Sequence, residues 1–448
     1  MNGPCASALT TDLYQLTMLQ AYWHHRMDGV AVFELFVRKL PSERAFLVAA
    51  GLEQALDFIE QARFDAEELA WIEHCGTFAP GFAEWLASMH FRGDVWAMPE
   101  GTVFFPNEPI LRVVAPIAEA QWLETRILNL IHFQTVVASK AARAVLAADG
   151  HGLIDFGLRR AHGAEAGVLA ARASYLAGFD GTATACAGPR FGIPVFGTMA
   201  HSFVQAHDDE AAAFSDFAES FPANAVLLID TYDTVAGARR VAELAPRLAA
   251  RGIHVKGVRL DSGDLNALSR QVRAVLDDAG LSDAIIFASG NLDEHRVGAL
   301  IAADAPITSY GIGTSLTTSS DAPYLDAVYK LQEYAGRARR KRSSGKATWP
   351  GRKQVFRRIG ADGRCADDTV ALDSERLPGE PLLVQVMRGG VRVTMPTLPE
   401  ARAHCKAQLA TLPAELRRLD PPWPVYPVAI SAAIAALADE VDRATSAR

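Results

Sequence analysis

The strongest constraint on the fold lies between about Gly150 and Ser320, where short β-branched or aromatic runs alternate with helix-like stretches. The runs are LIDFGLRR, PVFGTMAHS, AVLLIDTYDT, VKGVRLDSGD, AIIFASGNL and ITSYGIGTSL; between them lie stretches such as TVAGARRVAELAPRLAARG and LNALSRQVRAVLDDAG. Strand-like runs that alternate with helices every ~20–40 residues are the pattern of βα units around a parallel sheet. Six such runs in one block favour a closed or nearly closed β/α barrel, with a doubly wound open sheet as the alternative. Polar residues gather where each run ends: Asp155, Arg159 and Arg160; Thr198, His201 and Ser202; Asp230 and Asp233; Arg259, Asp261, Ser262 and Asp264; Ser289 and Asn291; Thr314, Ser315 and Thr317. In a barrel the C-terminal strand ends converge on one face, and active sites are built there.

The flanks read differently. Up to about Pro116, AVFELFVRKLP and VWAMPEGTVFFPNEPILRVVAP suggest strands and turns, with a helix at VAAGLEQALDFIEQA between them. From about Ile117 to Ala148 there is no Gly or Pro and the apolar spacing is helical. Beyond Ala327, AVYKLQEYA and KQVFRRI suggest strands, GRARRKRSSGKATWPG a solvated basic hairpin, and the chain from Thr397 onward mostly helix. The organisation expected is therefore residues 1–149, 150–325 and 326–448.

Composition narrows the function classes. Half of the 448 residues are apolar, which suffices for a large core, and the net charge of −8 disfavours nucleic acid as the main partner. No apolar run approaches the ~18 residues of a membrane helix. The sequence MNGPCASALTTDLY has no basic leader or apolar segment of a secretory signal, and Asn2 stands where myristoylation needs glycine. Cys5, Cys75, Cys186, Cys365 and Cys405 are odd in number and scattered, the usage of a reduced, cytoplasmic protein without a zinc site. His24 with His25, and His201 with His207, lack metal-motif spacing, so no protein-held metal is expected.

Two clusters suit phosphate. GIGTSL places Gly311 and Gly313 before Thr314, and SGNLDEH offers Ser289 and Gly290; glycine lets backbone N–H groups approach an anion, and hydroxyls add donors. Neither is a Walker or GxGxxG motif, and no GxSxG elbow is present. LLIDTYDT is superficially like the acidic loop of the common phosphoribosyltransferase fold, but lacks its adjacent acids and Thr-Gly-Gly, so Asp230 and Asp233 receive no defined role. Lys256 is the one strand lysine that a barrel aldolase reading would need.

Taken in order, TTDLYQLTM, FGLRR, GFDGT, GTMAHSF, LLIDTYDT, GVRLDSGDL, ASGNLDE, GIGTSL and GKATWPGRKQV resemble nicotinate phosphoribosyltransferase over most of the chain. The resemblance implies an α/β fold: an irregular β/α barrel with a second α+β domain formed by both chain ends. It implies an enzyme that joins nicotinate to 5-phosphoribosyl-1-pyrophosphate with coupled ATP hydrolysis, using Mg²⁺, in a homodimer with shared sites. It places His201 on the histidine that ATP phosphorylates, and Tyr14 on the tyrosine that stacks on the pyridine ring from the neighbouring subunit. Phe156 falls on the opposite ring face, Thr198 and Arg259 on nicotinate contacts, and Arg159 on a phosphate or carboxylate contact. Asp261 falls beside the ribose and Thr314 on the phosphoribosyl phosphate; Arg160 is left without a defined role. His162 stands where glutamine is expected, and the chain after Thr182 departs from the family pattern.

Chemistry agrees with these implications. A flat carboxylate-bearing ring wants aromatic faces and an arginine fork. A donor with three phosphates wants N–H nests, arginines and Mg²⁺, and positive charge developing on ribose wants a carboxylate. The alternatives are nicotinamide phosphoribosyltransferase and a non-catalytic nucleotide-binding sensor of the same fold.

Overall fold

A computed structural model describes residues 7–446 of the chain. Asn2 and Cys5 lie outside the described residues. The chain divides into two compact units, one of Lys140–Asp321 and one formed by the segments before and after it.

The Lys140–Asp321 unit holds a six-stranded parallel sheet: β1 (Gly152–Asp155), β2 (Gly181–Thr182), β3 (Ala225–Leu228), β4 (Val255–Leu260), β5 (Ile285–Ala288) and β6 (Ser309–Ile312), in the order β2-β1-β6-β5-β4-β3. Helices α1 (Ala164–Ala177), α2 (Thr234–Ala249), α3 (Leu265–Asp278) and α4 (Glu294–Ala302) connect the strands. They form because apolar residues recur on one face: α3 buries Leu265, Val272 and Leu276 on one helical stripe, with the small Ser269 between them. Each of the last three starts on a capping aspartate. Asp233 accepts from Ala236 N at 2.7 Å, Asp264 from Asn266 N and Ala267 N at 3.1 Å, and Asp293 from Arg296 N at 2.8 Å.

Five of the six strand-like runs are strands. PVFGTMAHS is not: it makes one isolated bridge, Val195 to Thr182. The remaining strand is β2, within GFDGT. Thr182 N donates to Pro194 O and Phe196 N to Thr182 O, but Pro194 has no N–H with which to extend the ladder. The contact is close because residue 181 is glycine; a Cβ there would lie 2.3 Å from Pro194 O. After Phe196 the chain leaves the sheet and enters a short helix, His201–Gln205. Among the described residues the ladder ends at β3 on one side and Val195 on the other, so the sheet is a curled parallel half-barrel rather than a closed one.

A buried ion cluster ties the beginning of this unit to its end. Glu294 is fully buried and meets Lys140 Nζ at 2.7 Å and Arg143 Nε at 3.0 Å, while Lys140 also reaches Asp321 at 2.9 Å. A buried carboxylate is tolerable because two cations hold it.

The second unit interleaves both chain ends. Strand Val30–Val37 lies between Pro109–Pro116 and Ala327–Tyr334, antiparallel to both, and Asp94–Ala97 pairs with Val384–Arg388. These belong to a seven-stranded sheet; Lys353–Ile359 and Cys365–Leu372 pair in a separate four-stranded one. The fully buried Arg357–Asp368 pair, with the Tyr426 hydroxyl donating to Asp368 at 3.0 Å, braces the smaller sheet. The helical stretch after Pro116 breaks at Leu123 into Ile117–Trp122 and Glu124–Ala148. Arg337–Ala338 closes a hairpin on Glu333–Tyr334, and the basic segment beyond it has neither strand nor helix through Pro350. Among the described residues no helix is long and apolar enough to cross a membrane.

Candidate active site

The polar strand ends of the Lys140–Asp321 unit converge on Arg259, the next-to-last residue of β4. Its side chain is 12% exposed, and three hydrogen bonds fix it. Nε donates to Ser289 Oγ at 2.9 Å, Nη1 to Thr198 Oγ1 at 3.3 Å, and Nη2 to Asp261 Oδ1 at 2.7 Å. The guanidinium carbon also lies 5.3 Å from the centre of the Phe156 ring.

Asp261, just past β4, is the anionic partner. Ser289, at the end of β5, donates to Asp261 Oδ1 at 2.5 Å. Burial pushes the Asp261 carboxyl upward, but the Ser289 hydroxyl, the Arg259 guanidinium and the His201 ring together hold it below its ordinary value. It is therefore a carboxylate at neutral pH. Behind it, Asp230 Oδ2 accepts from Asp261 N at 2.9 Å and Ser262 Oγ at 2.6 Å, and Asp230 Oδ1 is buried without a hydrogen-bond partner. Gly290 closes over the same loop at φ +93°, where a Cβ would lie 1.8 Å from Asp261 O.

His201 opens the His201–Gln205 helix and is 41% exposed. Nδ1 lies 3.1 Å from Thr231 Oγ1, and Nε2 lies 3.9 Å from Asp261 Oδ2. Phe156 follows β1, and its ring packs on Phe287 with centroids 5.4 Å apart. A Cβ at Gly311 would meet that ring at 2.9 Å, and one at Gly313 would meet Phe156 O at 2.9 Å. Both glycines are thus required by the seating of Phe156. Asp155 supports the same corner, accepting from Thr182 Oγ1 at 2.7 Å and Gly157 N at 2.8 Å. Burial pushes its carboxyl up to about 6 despite those two bonds.

The residues singled out from sequence thus fall into groups. Phe156, Thr198, His201, Arg259, Asp261 and Ser289 are linked by the contacts above. Ser289 is buried and its hydroxyl is committed to Arg259 and Asp261. Thr314 is exposed at the start of the short Thr314–Thr317 helix. Arg159 and Arg160 are exposed in a 3₁₀ turn with no ion-pair partner among the described residues. His162 is exposed, and so is Lys256, three residues from Arg259 and hence not on its face of the strand. Tyr14 belongs to the other unit, on the helix Leu13–His24, and is 48% exposed. Burial, followed by the Glu124 and Asp12 carboxylates, raises its hydroxyl pKa. Thr231 and Thr182 reach the site without a sequence signal of their own: each lies inside a motif, DTYDT or GFDGT, but a lone threonine carries no spacing signal.

Residues 9–132 match the nicotinate phosphoribosyltransferase N-terminal domain, residues 152–341 the nicotinate phosphoribosyltransferase family proper, and residues 378–438 the C-terminal domain. The chain belongs to the nicotinate phosphoribosyltransferase family. It is 54% identical over 426 residues to a nicotinate phosphoribosyltransferase of Mycobacterium tuberculosis, covering 95% of this chain and 91% of that one. It is 42% identical to the Bacillus subtilis nicotinate phosphoribosyltransferase, covering 83% and 77%. The crystal structure of human nicotinic acid phosphoribosyltransferase superposes with a TM-score of 0.87 at 31% identity, over 96% of this chain and 99% of that one.

Proposed function

We propose that the chain joins nicotinate to 5-phosphoribosyl-1-pyrophosphate, giving nicotinate mononucleotide and pyrophosphate in NAD biosynthesis and pyridine nucleotide salvage. ATP hydrolysis drives the transfer through a phosphohistidine at His201. The observation that carries this reading is the Phe156–Arg259–Asp261–His201 constellation in a member of this family. A guanidinium has five N–H groups. Three of those on Arg259 are committed to Ser289, Thr198 and Asp261, which leaves 5 − 3 = 2 for a substrate carboxylate.

In this reading Phe156 lies against one face of the pyridine ring, and Tyr14 of a second copy of the chain stacks on the other. Thr198 holds the ring's polar edge. Asp261 faces the positive charge that develops on ribose as the C1–O bond breaks. Gly290, Gly313 and Thr314, with Arg159, receive the phosphates, while Ser289 and Gly311 brace Arg259 and Phe156 respectively. Mg²⁺ brought in with the donor and ATP would supply positive charge for the leaving pyrophosphate. Asp230 suits it, because its buried Oδ1 has no other partner. The free thiols Cys75, Cys186, Cys365 and Cys405 support a reduced compartment, the cytoplasm.

The test is product detection. The full chain is incubated with nicotinate, the phosphoribosyl donor and Mg²⁺, with and without ATP, and in parallel with nicotinamide. Nicotinate mononucleotide whose yield rises with ATP is expected, and His201→Ala is expected to transfer slowly with no ATP stimulation and no alkali-stable label from γ-labelled ATP. Product from nicotinamide alone would move the chain to that branch. No product from either ring would make it a nucleotide-binding sensor.

A further inference from the structure

We infer that Glu124 is a positioning residue for Tyr14, acting through Gln15. The inference rests on the reading of Tyr14 as a ring-stacking residue and names what holds that ring in place. Tyr14 is 48% exposed, yet the chain is tied down on both sides of it. Two residues before it, Asp12 Oδ2 accepts from Thr125 Oγ1 at 2.9 Å, and Asp12 N donates to the same hydroxyl at 3.4 Å. One residue after it, Gln15 Nε2 donates to Glu124 Oε2 at 3.0 Å. Both ties end on consecutive residues at the start of the Glu124–Ala148 helix.

Neither tie is needed by the Leu13–His24 helix itself. Asp12 is its N-cap, where an aspartate ordinarily accepts from the first helical amides, but its side chain makes no such bond and turns to Thr125 instead. Gln15 shares the buried face with Leu16 and Leu19, where a third leucine would pack without burying a polar group. Both polar atoms of its amide are spent: Nε2 on Glu124, and Oε1 on Gln121 Nε2 at 2.9 Å.

Glu124 fixes how the two amides turn. A carboxylate only accepts, so Gln15 and Gln121 both present N–H groups to Oε2, at 3.0 and 2.8 Å. The Gln15 oxygen is then left for the second N–H of Gln121. The other Glu124 oxygen, Oε1, meets Lys330 Nζ at 3.3 Å, from the Ala327–Tyr334 strand. Burial first, and then the Glu124 carboxylate, raises the Tyr14 hydroxyl pKa, so the two groups are close enough to feel each other. The consequence is preorganisation. An exposed ring on an untied first turn would spend binding energy on being ordered, whereas a seated ring meets the pyridine already in place. Glu124 touches no substrate in this arrangement, so its loss should appear in the binding of the ring.

Glu124→Gln keeps the side chain's shape and removes its charge; Gln15→Leu removes the amide and leaves the charge. The full chain is labelled with 3-fluorotyrosine and studied by ¹⁹F NMR without substrate, the Tyr14 line being the one lost in Tyr14→Phe. Relaxation should show a more mobile Tyr14 in both variants, with the lines of Tyr175, Tyr232 and Tyr310 unchanged. The nicotinate KM should rise about tenfold in each, about the size of one lost hydrogen bond to a charged group, with saturating kcat and the KM of the phosphoribosyl donor held. The double variant should be no worse than the worse single, because both changes break one contact. A Tyr14 as rigid as in the wild type in either variant, or losses that multiply in the double, overturns the inference. A mobile Tyr14 with an unchanged nicotinate KM keeps Glu124 as the residue that seats Tyr14 and takes Tyr14 off the ring, so the reading beneath fails alone. If the wild type forms no product, the proposed function fails, while the substrate-free ¹⁹F measurement still decides the role of Glu124. Should Glu124→Gln not fold, Gln15→Leu decides it.

Discussion

Replacing Arg259 by alanine separates two roles that the site gives it. One is holding Asp261 through the 2.7 Å bond from Nη2; the other is offering its two uncommitted N–H groups to the substrate carboxylate. Removing one partner of a buried charge pair costs about 2–5 kcal/mol. Asp261 keeps the Ser289 hydroxyl bond and its side chain is 24% exposed, so the low end applies, about 2–3 kcal/mol, or roughly 30–150-fold in kcat/KM. That loss strikes any ring substrate. A second loss, the ion pair with the carboxylate, strikes nicotinate alone, because nicotinamide is neutral. The preference for nicotinate over nicotinamide should therefore fall by about tenfold or more, the equivalent of ~1.4 kcal/mol. Initial rates of mononucleotide formation with each ring, followed by chromatography, measure both effects, and a thermal melt confirms that the variant folds. Ser289→Ala is the internal control, since it leaves the guanidinium in place and should slow both substrates by a similar factor. Equal losses for the two rings in Arg259→Ala would show that Arg259 orders Asp261 and does not read the carboxylate.

Three further outcomes follow from particular contacts. Folding raises the Asp155 carboxyl from 3.8 to about 6, so the folded chain binds more protons in that window and loses stability as pH rises through it, by about 3 kcal/mol from this group. Asp155→Asn should lack that fall between about pH 4 and 6, and a constant gap between the two melting curves across the window would refute it. Gly290→Ala should cut turnover about hundredfold and lower Tm by several degrees, because its Cβ would strike Asp261 O, whereas Gly192→Ala, also at positive φ but with open space around it, should keep its rate; equal behaviour of the two would leave backbone strain as the whole effect. If Tyr14 acts across a dimer, inactive Tyr14→Ala and Asp261→Ala chains should regain activity on mixing, and a mixture that stays inactive with heterodimers demonstrated would place Tyr14 in its own chain's site.

The strands were legible wherever a β-branched run ended in polar residues, because a buried parallel strand needs little more than that. The exception shows what is missing from such a pattern. PVFGTMAHS has the composition of a strand and makes a single bridge, while the true strand, Gly181–Thr182, is two residues long and held between β1 and Val195. Its strand character depends on a partner distant in sequence and on the absence of a Cβ at Gly181, and no local period reports either. The glycines of GIGTSL have the spacing expected of an anion nest. Their spacing is equally the mark of a close approach, and Phe156 is what approaches. Interleaving of the two chain ends in one sheet was legible only through the family resemblance, since antiparallel strands about 300 residues apart leave no shared local signal.

The aspartates carry a finer regularity. DTYD after β3 and DSGD after β4 are both D-x-x-D, and in each the two acids have opposite tasks. The second, Asp233 or Asp264, spends an oxygen on the first turn of the following helix. The first, Asp230 or Asp261, stands at the strand end, too early to cap anything. Neither of these first acids is left to find its own position. Asp230 accepts from the backbone of Asp261, and Asp261 is held by Arg259 from its own strand and Ser289 from the next. Capping therefore does more than start α2 and α3: it sets the loop length, and the loop length brings Asp230 within 2.9 Å of Asp261 N. A residue inserted between the acids of either motif would leave the helix its cap and take the site's carboxylate out of register. Identical residue types at a fixed spacing thus divide into scaffold and chemistry by one criterion, whether a helix begins immediately after them.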